Sequence, residues 1–193
     1  MKPVSLSLSI LILFGACKTE PSAPANEPFV VSNVVCEQAN KPSDNPIQCF
    51  AVSGTNLFAG IGNFGNGVGG LFLSTNNGSS WSTSVLPRSV HCLFVFGHEF
   101  FCATEGGIFL SANNGTNWTE VDSGLSNNDV WSLAVSGTNF FAGTYGGGIF
   151  LSTNNGTNWT ATGAKGTVSA LVVSNPYVFA GTYDGEVFIG VMR

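Results

Sequence analysis

STNNGSSW at residues 74–81, SANNGTNW at 111–118 and STNNGTNW at 152–159 are one eight-residue unit written three times. Their tryptophans, Trp81, Trp118 and Trp159, stand 37 and 41 residues apart, and a period near 40 is the length of a four-stranded propeller blade. The flanks repeat as well. Apolar segments come in pairs split by a turn: CFAV and LFAG around Ser53-Gly-Thr-Asn56, CLFV and FFCA around Phe96-Gly-His-Glu99, SLAV and FFAG around Ser136-Gly-Thr-Asn139, and ALVV and VFAG around Ser174-Asn-Pro-Tyr177. Gly, Asn and Ser tolerate positive φ or cap their own backbone, so each pair reads as a hairpin of strands A and B. A Gly-rich turn such as Tyr145-Gly-Gly-Gly148 then leads into strand C, Ile149 to Ser152, and the Asn-Asn-Gly unit turns the chain into strand D near Trp159.

These strands are apolar on both faces. Propeller blades pack face to face, so their inner strands lose water on two sides, whereas a sandwich sheet alternates more cleanly. The expected fold is all-β, a propeller of about four 40-residue, four-stranded blades, with a β-sandwich or β-solenoid as the alternatives. The blades run from Ile47 to Ser84, Val90 to Val121 and Val130 to Gly163, and a fourth begins at Val168 and shows strands A to C. Two arrangements accommodate that fourth unit. Phe29 to Cys36 (FVVSNVVC) supplies the missing outer strand and closes a four-bladed ring, or the chain is a fragment, or half, of a larger propeller. An open array would leave Phe-rich blade faces exposed and prone to association.

The repeated unit resembles the Asp-box, or BNR, motif (S-x-D-x-G-x-T-W) of sialidase-like propellers, family-74-type glycosidases and photosystem-assembly-factor-like proteins. The resemblance extends from about Ile47 to Arg193 and rests on Ser74, Asn76, Gly78 and Trp81, on Ser111, Asn113, Gly115 and Trp118, and on Ser152, Asn154, Gly156 and Trp159. Asn stands where the family has Asp. A short side-chain oxygen still accepts turn N–H bonds, Gly still permits left-handed backbone, and Trp still packs beneath the turn. The resemblance implies that the motif is structural, lies on the C–D loops, and belongs to rings that usually have six or more blades.

Residues 1–16 read as an export signal: Lys2, then the apolar run Val4 to Phe14, then small residues before Cys17. The pattern resembles the bacterial lipobox, with Cys17 as the lipid attachment site and 17–28 (KTEPSAPANEP from Lys18) as a Pro/Ala-rich tether. Residues 29–193 form the repeat domain. The expected location is therefore the bacterial cell envelope, periplasmic or outer surface, with the membrane as a partner through the lipid. Cys36, Cys49, Cys92 and Cys102 remain for two disulfides, with four buried thiols as the alternative, and proximity favours Cys36–Cys49 and Cys92–Cys102. For the second pair the hairpin register decides, since a loop centred on Gly97 places Cys92 opposite Cys102 and one centred half a residue later places it opposite Ala103.

Composition excludes some functions. Charged residues are only 9% of 193 and the net charge is −5, so the clustered cations that bind phosphate backbones are missing and nucleic acid is no partner. A sialidase needs three arginines to grip its substrate, and this chain has Arg88 and Arg193 alone. A glycosidase needs two carboxylates flanking one bond, for which Glu105 and Asp184, in equivalent B–C loops, are the best-placed pair. No cofactor or metal motif appears, and neither His91 nor His98 is spaced as a ligand. B–C and D–A loops share the face opposite the boxes, so Glu105, Tyr145, Tyr183 and Asp184, together with Asn63 and Phe64, are the candidate ligand rim. The sequence thus points to a non-enzymatic, exported lipoprotein scaffold that binds protein or glycan. A polysaccharide-cleaving enzyme and a truncated propeller are the alternatives, and an incomplete ring would make the protein a homo-oligomer.

Overall fold

A computed structural model describes residues 29–31, 34–36, 40–62, 69–83, 86 and 88–192. The leader, the tether with Cys17, Asn63, Phe64, Arg193 and the Cys36 side chain lie outside the described residues. The chain divides into two compact units, Met1–Gln38 and Ala39–Arg193. In the first, β1 (Phe29–Val31) and β2 (Val34–Cys36) pair with one another as an antiparallel hairpin, Phe29 opposite Cys36.

The second unit is four consecutive antiparallel sheets. Blade 1 comprises β3 (Ile47–Ser53), β4 (Asn56–Ile61), β5 (Gly70–Ser74) and β6 (Ser82–Thr83). Blade 2 comprises β7 (Val90–Phe96), β8 (Glu99–Thr104), β9 (Gly107–Ser111) and β10 (Thr119–Glu120). Blade 3 comprises β11 (Val130–Ser136), β12 (Asn139–Thr144), β13 (Gly148–Ser152) and β14 (Thr160–Ala161). Blade 4 comprises β15 (Val168–Ser174), β16 (Tyr177–Thr182) and β17 (Val187–Val191). Each sheet runs A-B-C-D in chain order, and the fourth stops at C among the described residues. Among the described residues the last strand, β17, pairs with β16 alone.

Three apolar layers lie between successive blades. Phe58 and Leu71 of blade 1 meet Val90, Leu93 and Phe100 of blade 2. Phe101 and Ile108 of blade 2 meet Val130, Leu133 and Phe140 of blade 3. Phe141 and Ile149 of blade 3 meet Val168, Val178 and Ala180 of blade 4. The aromatic rings interlock across the first two layers, Phe58 with Phe100 at 4.6 Å and Phe101 with Phe140 at 4.9 Å between centroids. Each fully buried Phe contributes about 1.5–3 kcal/mol through the area it withdraws from water. This burial on both sides explains the near-continuous apolar strands.

The boxes tie C to D. In blade 3 the Ser152 hydroxyl donates to Asn154 Oδ1 (2.8 Å) and accepts from the Gly156 N–H (3.0 Å), while Asn154 Oδ1 also accepts from the Asn158 N–H (3.0 Å). Blades 1 and 2 repeat this with Ser74, Asn76 and Ser80, and with Ser111, Asn113 and Asn117. The second Asn of each box shapes the backbone instead. Asn77, Asn114 and Asn155 sit at φ of 54–55°, in the left-handed region that Asn enters more readily than other side chains. Trp159 is buried and donates its indole N–H to the Val121 carbonyl (2.8 Å), joining blade 3 to blade 2.

The cysteines follow the second register. Cys92 lies opposite Ala103 and Cys102 opposite Leu93, so the two thiols leave opposite faces of the sheet and the Cys92–Cys102 disulfide does not form. Cys49, Cys92 and Cys102 are free thiols. Burial pushes all three thiols up, which disfavours their nucleophilic thiolate forms.

Candidate functional site

Antiparallel order puts the boxes at one end of blades 1 to 3 and the B–C and D–A loops at the other. At that second end one backbone device recurs four times. The first residue after strand B donates its N–H to the carbonyl just before strand A: Gly62 to Pro46 (3.1 Å), Glu105 to Ser89 (3.2 Å), Tyr145 to Asp129 (2.9 Å) and Tyr183 to Thr167 (2.9 Å). Beneath it, a Thr hydroxyl at the end of strand B bonds the backbone of the tight B–C turn, Thr104 to Gly107 and Thr144 to Gly148. A Cβ on Gly148 would fall 1.8 Å from the Ala164 carbonyl oxygen, so only Gly lets this turn approach the D–A loop. The loops are thus held in fixed positions while their tip residues are free to vary.

A second device points side chains at the same end. Strand A bulges at its second residue in every blade, between Ile47 and Cys49, Val90 and Cys92, Val130 and Ser132, and Val168 and Ala170. A bulge re-aims its side chain. The four bulge residues are Gln48, His91, Trp131 and Ser169.

Together these positions build a cluster across blades 2 to 4. Trp131 is the hub, with ring centroids 5.6 Å from His91, 5.4 Å from Tyr145 and 6.2 Å from Tyr183. Its indole N–H donates to Asp129 Oδ1 (3.0 Å), and the same oxygen lies 3.4 Å from His91 Nε2. Asn127 fixes the acid loop by accepting from the Asp129 N–H (3.0 Å) and donating to the Tyr145 carbonyl (2.7 Å). Tyr145 and Tyr183 remain exposed. Burial holds the His91 imidazole below its ordinary value, opposed by the carboxylates of Asp129 and Glu105. His91 is therefore a neutral ring at physiological pH and extends the aromatic surface. The result is a half-open aromatic shelf beside an acidic edge, suited to stacking on a flat apolar or cationic group while carboxylates take its polar atoms.

Of the rim residues expected from sequence, Tyr145 and Tyr183 come together through Trp131, and Glu105 lies close enough to His91 to act on its charge. Asp184 follows Tyr183 in the same exposed turn. Trp131, Asp129 and Asn127 carry no motif that marks them as rim residues, and His91, which the sequence offers only as an unpartnered ring, belongs to the cluster. The available signal is column comparison. Trp131 is the one tryptophan of four outside a box and stands in a repeat position occupied elsewhere by Gln48, His91 and Ser169. Arg88 lies over the Phe109 ring at 5.7 Å and against Gly106. Among the described residues no three His, Cys, Asp or Glu side chains gather as a metal site, and no helix is long and apolar enough to cross a membrane.

No family model and no curated protein matches the chain. Solved structures do. The chain is similar to the computationally designed Ika4 protein at 15% identity and a TM-score of 0.62, over 78% of this chain and 94% of that one. It is similar to the designed Ika8 protein at 15% identity and 0.58, over 76% of this chain and 46% of that one. It is also similar to YCF48 from Cyanidioschyzon merolae at 15% identity and 0.59, over 81% of this chain and 56% of that one. The protein has a β-propeller fold. It spans about half the length of the Ika8 and YCF48 chains it matches.

Proposed function

We propose that the protein is a non-enzymatic, exported lipoprotein whose propeller is a scaffold for binding a protein or glycan at the Trp131 face. One observation carries this reading. The box end repeats the same side chains three times, while the opposite end concentrates Trp131, Tyr145, Tyr183 and His91 on identically built loops. Aromatic shelves beside carboxylates and amides are the usual substance of protein and sugar recognition surfaces. YCF48, a propeller of like fold at 16% identity, has been solved bound to D1 peptide, which supports a peptide segment as the ligand. The signal and Cys17 pattern support the envelope address, and two arginines in the whole chain argue against sialidase chemistry.

The test is binding by the full chain to a glycan array and to a solubilised envelope fraction, with Trp131→Ala run in parallel. Truncating a central aromatic anchor typically weakens binding by about 2 kcal/mol or more, some 30-fold. Retention of partners by the wild type and their loss in Trp131→Ala is the expected result. Equal capture by both would remove this face from the mechanism, and no capture by the wild type would remove the binding reading itself.

A further inference from the structure

The two ends of the blade series are unlike its middle. Every blade has a leading face, turned to the blade before it, and a trailing face, turned to the blade after. Phe50 on the leading face of blade 1 is 45% exposed, while Leu93 and Leu133, at the same repeat position in blades 2 and 3, are 8% exposed. Val187 on the trailing face of blade 4 is 70% exposed, while its counterparts Leu71, Ile108 and Ile149 are 7% or less. Ile47 and Val52 on the first face, and Val172 and Ile189 on the second, are likewise exposed. Inner strands β3 and β7, β7 and β11, and β11 and β15 pack against one another, and no such packing joins β15 to β3.

These are two halves of an interface that the molecule already makes three times. Where blade 1 meets blade 2, Phe58 stacks on Phe100; where blade 2 meets blade 3, Phe101 stacks on Phe140. By register, Phe179 of blade 4 holds the position of Phe58 and Phe101, and Leu57 of blade 1 holds that of Phe100 and Phe140. Strands β3, β4 and β5 and strands β15, β16 and β17 contain no charged residue. They lack the charges by which proteins ordinarily protect open sheets from association.

We propose that these faces are the interface between two copies of this chain. The trailing face of each blade 4 packs on the leading face of the other blade 1, at two identical junctions related by a two-fold axis. A head-to-tail contact either closes or runs on as a filament. Closure with two copies follows from the complementarity of the two faces, and two longer propeller chains, matched over 46% and 56% of their length, are about twice as long as this arc. A second copy brings the matching faces with it, and the Trp131 cluster, at the loop end, stays open.

The experiment measures mass by sedimentation equilibrium of the full chain in mild detergent, at about 10 µM protein. The expected species is a dimer, twice the 20.1 kDa chain mass. Leu57→Lys and Phe179→Glu each place a charge in both junctions, and each is expected to weaken association more than about 100-fold, leaving monomer. Mixed together, the two variants form a heterodimer with one wild-type junction and one Lys–Glu junction, so dimer mass returns. That rescue also shows that both variants are folded. The milder Phe50→Ser and Val172→Ser variants are expected to weaken the dimer by smaller factors. A wild-type monomer overturns the proposal, whether another segment or another protein covers these faces. An open-ended polymer overturns closure. Dissociation by the blade 1 variant alone points to like faces meeting, and overturns the head-to-tail arrangement.

Discussion

The box end and the loop end of the same blades use opposite strategies. At the box end, blades 1 to 3 carry the same side chains making the same bonds: a Ser hydroxyl beneath the turn, an Asn oxygen accepting from the residue before the Trp, and a left-handed second Asn. At the loop end the backbone bonds repeat while the side chains do not. The tips are Gly62, Glu105, Tyr145 and Tyr183, and the bulges Gln48, His91, Trp131 and Ser169. Repetition with constant side chains marks what the fold needs from each blade. Repetition of backbone with free side chains marks what the fold leaves available for recognition. The two tryptophans of blade 3 embody the contrast, since Trp159 is buried in the layer between blades and Trp131 is half-buried at the loop end.

That contrast breaks most sharply in a pair of truncations. Trp159→Ala removes a buried ring and its N–H bond to Val121, and is expected to cost about 3–5 kcal/mol in urea unfolding. Trp131→Ala should cost about 1 kcal/mol or less, because the removed ring is half open to water and its loops are held by backbone bonds. Binding follows the reverse order. Comparable stability losses for the two variants would show that the loop end is as structural as the box end.

A smaller effect separates the roles within a box. In Ser152→Ala the Gly156 N–H keeps its buried position and loses its acceptor, at an expected cost of about 1–3 kcal/mol. Asn154→Asp keeps an oxygen for the Asn158 N–H and for the Ser152 hydroxyl, so its unfolding midpoint in urea should stay near that of the wild type. If Asn154→Asp proved as harmful as Ser152→Ala, the amide nitrogen would carry weight that these bonds do not assign to it.

Much of this organisation is legible in the sequence, for a physical reason. Box and strand repeats are dictated locally: a turn with two left-handed residues demands Asn and Gly, and double burial demands continuous apolar runs, so blade limits and strand order follow from spacing. The cysteine pair is open at the level of sequence because register depends on half a residue of turn geometry, and the structure chooses Ala103 as the partner of Cys92. Ring closure is open at the level of sequence because a short apolar segment such as Phe29–Cys36 can pair with any sheet edge or within itself, and the structure pairs Phe29–Val31 with Val34–Cys36. The Trp131 cluster is hidden for a different reason. A bulge is a tertiary event, invisible in composition, and Asp129, His91 and Tyr145 meet only once three blades are stacked. Tyr145 and Tyr183 can be placed on the right face because loop position follows from strand order, but their hub cannot.

The finest probe of the loop end is the titration of His91. Burial favours the neutral imidazole, while Asp129 and Glu105 favour the charged one, and burial prevails. The folded-state value therefore lies below the ordinary 6.5. The sign of the linkage follows. Stability from the neutral ring is fully present above the unfolded value near 6.5 and is lost as pH falls through the lowered folded value. Asp129→Asn keeps an acceptor oxygen but removes the negative charge that supports protonation, so the His91 midpoint, followed by NMR of the ring Cε1 proton and assigned with His91→Gln, should move lower still. An upward shift would mean that Asp129 is not the partner of His91 in solution. If the acid is the partner, the aromatic shelf keeps a neutral member down to mildly acidic pH, and a ligand that stacks on Trp131 should bind with little change between pH 8 and 7. A ligand that instead needed an imidazolium would gain affinity as pH falls, and this one titration distinguishes the two.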